Sequence, residues 1–255
     1  MKTFNWRAYD HYAYAAVATL GTLVAIYALH WLMLAPSWSD WVHSLGGVAA
    51  PFTNVVGILF GLTLAFLAND TWTAHDRASN AVLQEADSIR SLVILSRLLT
   101  PSTQAALRAA IAEYGRASIA EWPFLARGTT NPAALSSSDQ LLSLVADRSV
   151  GSAVGDIVQQ QMLNHATGIR ANRDLRIGLS QTHVNPLKWL GMAFLGFLTL
   201  LSVAVVNVEN ARAALTAMIL FGLAGAPTAA IVLIHGNPFQ PPSAVSPTPI
   251  AESLP

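Results

Sequence analysis

The sequence predicts an all-α integral membrane protein with four transmembrane helices and a cytosolic helical module inserted between the second and third. Three observations carry this expectation. Hydrophobic residues make up 53% of the 255-residue chain and charged ones 11%, with a mean hydropathy of +0.45, whereas a soluble domain carries about 25% charged residues. Four nearly uncharged stretches are each long enough to cross about 30 Å of hydrocarbon. Between the second and third, residues 71–188 hold nine acidic and eleven basic residues, and their apolar positions recur at helical spacing without strand-like alternation. The expected divisions are residues 1–70 (two spanning helices), 71–185 (the module), 186–235 (two more spanning helices) and 236–255 (a proline-rich tail).

Residues 12–34 are apolar except for Thr19, Thr22 and His30. The run exceeds the roughly 7–15-residue core of a signal peptide and has no convincing small-x-small cleavage site, so it reads as the first spanning helix. The residues before it hold Lys2 and Arg7, with Trp6 and Tyr9 suited to a membrane interface. The loop over residues 35–47 carries Trp38 and Trp41 but neither Lys nor Arg.

The second helix begins with residues 48–68, which carry no charge. Residues four apart stack on one face of a helix, and one such row runs Asn54, Ile58, Leu62, Phe66, Asp70. Three bulky apolar side chains therefore lie between two polar ends. The row is compatible with two placements: toward lipid and neighbouring helices, or inward in a ring of helices, where it would form a hydrophobic constriction that gates by dewetting. Gly57 and Gly61 form a G-x-x-x-G pair, a spacing that lets helix backbones approach closely.

In the module, Ala78, Val82, Glu85 and Ala86, Ile89, Leu92 and Val93, Ser96 and Leu99 form a stripe that continues the second helix beyond the membrane. Leu107, Ile111, Tyr114, Ser118 and Trp122 mark a further amphipathic helix, which Pro123 ends because proline disfavours helical geometry in the residue before it. Residues 128–138 read as an irregular connection, and 139–148 and 154–176 as helices. Residues 186–208 form the third spanning helix, with Lys188 and Trp189 at its boundary. After a turn at 209–212 comes the fourth, 213–235, in which Gly222, Gly225 and Pro227 predict a kink or a close helix contact. The tail, without a basic residue, is expected to be extended against the module or disordered.

Several function classes are not expected. The chain has no cysteine and a formal net charge of zero, and it lacks the basic, aromatic-interleaved stripe of a nucleic-acid binder. No phosphate-binding loop, metalloprotease helix or nucleophile elbow is present. Side chains of helical neighbours diverge by about 100°, so His75 beside Asp76 makes no ligand set. No ionisable group lies at mid-membrane depth, against a proton-coupled pump. The expectation is no enzyme, no cofactor and no metal.

Four stretches together resemble the bestrophin-like domain family of bacterial membrane proteins. They are GLTLAFLANDTW followed by DRA and EA (61–86), EYGRASIAEWP (113–123), HVNPLKWLG (183–191) and HGNPFQPPSAVSP (235–247). One departure is Gly236, where relatives usually carry Asp before the Pro-Phe pair. The chain is more distantly similar to bestrophin channels, whose second helix shares the spacing of Phe66, Asn69 and Trp72, with Arg77 further on. The paired tryptophans of the bestrophin signature and an acidic calcium clasp are missing, so calcium gating is not implied. The resemblance implies a homo-oligomeric, pentameric ion channel in the bilayer of the bacterial inner membrane. Its neck would be Ile58, Leu62 and Phe66, its mouths Asn54, Asn69 and Asp70, and its permeant species an inorganic ion. A ring of Asp70 would favour cations, whereas bestrophins proper often pass anions; alternatively Asp70 anchors the membrane exit. Trp72, Asp76, Arg77, Glu85, Glu121 and Trp122 recur in the resemblance and are expected to anchor the module, with Arg77 paired to an acid such as Glu121. Thirteen of the fourteen basic residues lie in the amino terminus and in residues 71–188, which places both termini and the module in the cytoplasm. The competing expectation is a non-conducting scaffold or sensor that presents the helical bundle to a partner.

Overall fold

A computed structural model describes residues 10–35, 44, 46–181 and 186–255. Trp6, Tyr9, Trp38, Trp41 and the start of the 183–191 motif (His183, Val184, Asn185) lie outside them. Among the described residues every regular element is helical: α1 Asp10–Leu34, α2 Gly46–Leu95, α3 Pro101–Ala120, α4 Trp122–Leu125, α5 Pro132–Val145, α6 Arg148–Val154, α7 Asp156–Gln181, α8 Pro186–Val206, α9 Ala211–Ile234 and α10 Thr248–Ser253. Four of them are long and apolar enough to span a bilayer. The chain divides into two compact units, Met1–Trp72 with Val184–Gly236, and Thr73–His183 with Asn237–Pro255.

The first unit holds α1, the first part of α2, α8 and α9. Its core has two centres. Leu64, Leu67 and Ala68 of α2 meet Met192 of α8 and Ala229 and Val232 of α9, while Ile26 and Leu29 of α1 meet Leu200, Ala204 and Met218. Glycines set the close approaches. A Cβ at Gly222 would lie 2.9 Å from Ile26, and one at Gly196 would lie 3.1 Å from the Phe60 ring, so the α9 and α8 backbones can come near only because these positions are bare. In hydrocarbon a hydroxyl needs an internal acceptor. Thr19, Thr22, Thr63, Thr199 and Thr228 each donate to the carbonyl four residues earlier.

The second unit packs the rest of α2 with α3–α7 and the carboxyl-terminal residues around Ile89, Leu92, Ile111, Tyr114, Leu125, Leu141, Met162 and Ile169. Helix boundaries differ from the sequence expectation at three places. The helix expected to end at Pro123 stops at Ala120, and Pro123 sits in the first turn of α4, a position that tolerates its missing donor. Residues 132–138 are helical, because Asn131 accepts from the Ala133 N–H and Pro132 occupies the first turn, where its missing donor costs nothing. The helix expected over 154–176 is α7, and it is preceded by a short helix that was not expected, α6; Gly155, whose φ of 82° is open to glycine without strain, separates the two. The tail is ordered. Asn237 donates to the carbonyls of Leu125 and Ser180 and accepts from the Phe239 N–H, and Trp122 donates to the Val245 carbonyl at 2.7 Å. Ile250 of α10 is fully buried.

Candidate functional site

α2 is 50 residues long, about 75 Å at 1.5 Å per residue. In the first unit it shows two faces. Val56, Leu64, Leu67 and Ala68 are buried within the chain, and Phe60 packs against Phe221 with ring centroids 5.3 Å apart. The other face carries the i+4 row: Ile58, Leu62 and Phe66 are 63%, 51% and 68% exposed, and Asn54, Asn69 and Asp70 are exposed with them. Among the described residues nothing covers these three bulky apolar side chains. Of the two expected packing glycines, Gly57 faces the Thr199 methyl at 4.0 Å, whereas Gly61 has open space where a Cβ would go. Close helix contact inside the protomer rests on Gly196, Gly222 and Gly225 instead.

Asp70 has a partner. Lys188 of α8 donates to its Oδ2 at 2.7 Å, and each side chain is 56% exposed. The residues expected to anchor the module separate into two groups. Trp72, Asp76 and Arg77 are exposed. Glu85, Glu121 and Trp122 join a buried network in the second unit. Glu121 is bound by Arg173 through Nε at 3.0 Å and Nη2 at 2.6 Å and accepts the Asn131 N–H; the expected Arg77 pairing is therefore replaced by one from α7. Glu85 takes a bidentate Arg176 at 2.7 and 3.0 Å and accepts from Tyr114 Oη and Ser118 Oγ. The Arg176 guanidinium lies over the Trp122 ring at 4.7 Å.

Two carboxylates and two guanidiniums cancel in this cluster, so a buried net charge is avoided. Burial works to lower the Arg176 pKa, but Glu85, Tyr114 and Glu121 outweigh it and hold it above its ordinary value. Tyr114 is pushed well up, first by burial and then by the Glu85 charge. These shifts keep Arg176 charged and Tyr114 neutral. The cluster pins α2, α3 and α7 together and presents no free acid or base. Among the described residues no three His, Asp or Glu side chains converge as a metal site would need.

A family model for the bestrophin-like domain matches residues 20–250. The chain belongs to the bestrophin-like domain family. Solved structures with the same fold include a bacterial bestrophin homolog from Klebsiella pneumoniae carrying a point mutation, at 13% identity and a TM-score of 0.72, covering 93% of this chain and 96% of that one. The same homolog phased with zinc gives 14%, 0.68, 94% and 94%. A point mutant described as a membrane protein gives 12%, 0.70, 94% and 95%. A search of curated proteins finds no match.

Four polar residues of this bestrophin-like chain that organise the site were missed in the sequence: Arg173, Arg176, Lys188 as a partner of Asp70, and Asn237. The arginines had a signal. Met162, Ala166, Ile169, Arg173, Arg176 and Leu179 follow one another at helical spacing, so two charges stand on a core stripe and demand buried acids. Ile157 also escaped notice, although at 82% it is the most exposed large apolar side chain among the described residues.

Proposed function

We propose that the protein is a homo-oligomeric, bestrophin-like ion channel in which copies of α2 surround the conduction axis. Ile58, Leu62 and Phe66 form the neck, Asn54 faces one mouth, and Asn69 and Asp70 face the other. The observation that carries this reading is the row itself: three bulky apolar side chains, uncovered among the described residues, stacked between polar ends on a helix whose opposite face is buried. Stacked rings of such side chains exclude water from a narrow passage and make it a gate. The family resemblance supports a pentamer. Positive-inside charge places both termini and the second unit in the cytoplasm of a bacterial inner membrane, with the second unit as the vestibule. Glu85, Glu121 and Trp122 hold that vestibule rigid, while Trp72, Asp76 and Arg77 line its junction with the membrane. No catalytic role is assigned, because the buried acids are fully paired.

Ion flux from liposomes containing the pure protein tests the reading. Leu62→Ala and Phe66→Ala each widen the constriction and should raise flux by about tenfold, the scale of 1.4 kcal/mol removed from a barrier. Absence of flux from the wild type and both variants would reject the channel in favour of a scaffold.

A further inference from the structure

We infer that Lys188 sets the ionic selectivity of the Asp70 mouth by pairing with its carboxylate, so that each subunit presents a zwitterion in place of a bare negative charge. This rests on the reading of the α2 row as the pore lining. Asp70 closes that row four residues after Phe66, so in the channel its carboxylate borders the neck. Left alone, a ring of such carboxylates concentrates cations and repels anions. The structure supplies a counter-charge from another helix: Lys188 Nζ sits 2.7 Å from Asp70 Oδ2, with each side chain 56% exposed.

The placement of Lys188 is otherwise unfavourable. It lies in the first turn of α8, a segment without an acidic residue there, where the positive end of the helix dipole disfavours a cation. Asp70 removes that disadvantage. The pair is too exposed to add much stability, so its consequence is the field at the mouth. The ammonium cancels the carboxylate at the distance of an ion entering the neck and offers an anion a favourable site beside it. The mouth then discriminates weakly between cation and anion.

Reversal potentials of the full-length protein in planar bilayers, under an asymmetric potassium chloride gradient, test this. Lys188→Gln should raise the potassium-to-chloride permeability ratio by about threefold or more, because it uncovers one carboxylate per subunit at a focused site. Asp70→Asn should lower the ratio by a similar factor. The exchanged pair Asp70→Lys with Lys188→Asp restores a zwitterion and should return the ratio to within about twofold of wild type; being charge-conserving, it also guards against a failure of the single variants to fold. If both single variants conduct with the wild-type ratio, or if selectivity in the exchanged pair simply follows the sign at position 70, the assignment to Lys188 is overturned while the channel stands. A wild type that carries no current overturns the pore reading and this inference with it.

Discussion

Glu85 is buried on α2 with four hydrogen bonds, two from the Arg176 guanidinium and one each from Tyr114 and Ser118. A carboxylate taken out of water needs such saturation, since removal of one partner leaves a buried charge at a cost of about 3–5 kcal/mol. Tyr114 is the member whose removal can be read without that complication. Tyr114→Phe keeps the ring and deletes one hydrogen bond to a charged acceptor, so it should destabilise the protein by about 1.5–3 kcal/mol near neutral pH. Its pH dependence has a definite sign. The folded-state pKa of Tyr114 is raised above the ordinary value of 10.0 by burial and by Glu85. Its contribution is therefore complete below that value and is lost as pH climbs through the range between the unfolded and folded pKa, where only the unfolded chain releases the proton. Thermal unfolding in detergent should show the gap between wild type and Tyr114→Phe narrowing above about pH 10. A gap that stays constant, or widens, would contradict the burial of a neutral phenol against Glu85.

At the scale of elements, the carboxyl-terminal segment behaves as part of the second unit. Asn237 caps two otherwise separate backbone sites, the Leu125 carbonyl at the end of α4 and the Ser180 carbonyl at the end of α7, and Phe239 stands edge-on to Trp122 at 5.8 Å. Asn237→Ala removes three hydrogen bonds in a buried site, to the Leu125 and Ser180 carbonyls and from the Phe239 N–H, and leaves the Leu125 carbonyl with the Gly128 N–H alone. It should cost about 2–4 kcal/mol, read as a lower unfolding midpoint and as protease cleavage within residues 237–255 of the intact protein. Unchanged cleavage would mean that Pro238, Phe239 and Ile250 hold the segment without it.

Elements also mark what the sequence could reveal. Uncharged length and apolar stripes expose the membrane helices and the α2–α3 core, because a helix period survives in any environment. The start of α5 was hidden by its Thr- and Ser-rich surroundings, although Asn131-Pro132 is a capping signal. Helix α6, which stops at Gly155, was hidden because seven residues are too few to show a helical period. The pairings of Asp70 with Lys188 and Glu121 with Arg173 were out of reach. They join residues 118 and 52 positions apart, and nothing local specifies which charge meets which.

At the scale of the whole molecule, an apolar row has two possible environments: lipid, or copies of itself. Leu20, Leu23 and Tyr27 of α1 are at least as exposed as Leu62, so what sets the α2 row apart is its pair of polar ends. The absence of cysteine from the chain makes the choice testable by single thiols. In a ring assembly, Leu62→Cys places equivalent sulfurs around one axis, while Leu20→Cys places them on a lipid-facing perimeter. A short bifunctional thiol reagent applied to the protein in native membranes should then join Leu62→Cys subunits into covalent dimers in high yield and leave Leu20→Cys monomeric. Disulfide formation itself is the stricter variant, because it requires Cα atoms within about 7 Å and so reports a closed neck. Equal cross-linking at both positions would indicate random collisions, and linkage at Leu20→Cys alone would turn the oligomer inside out. Either outcome removes the conduit, because the polar ends at Asn54 and Asp70 would then border no shared axis.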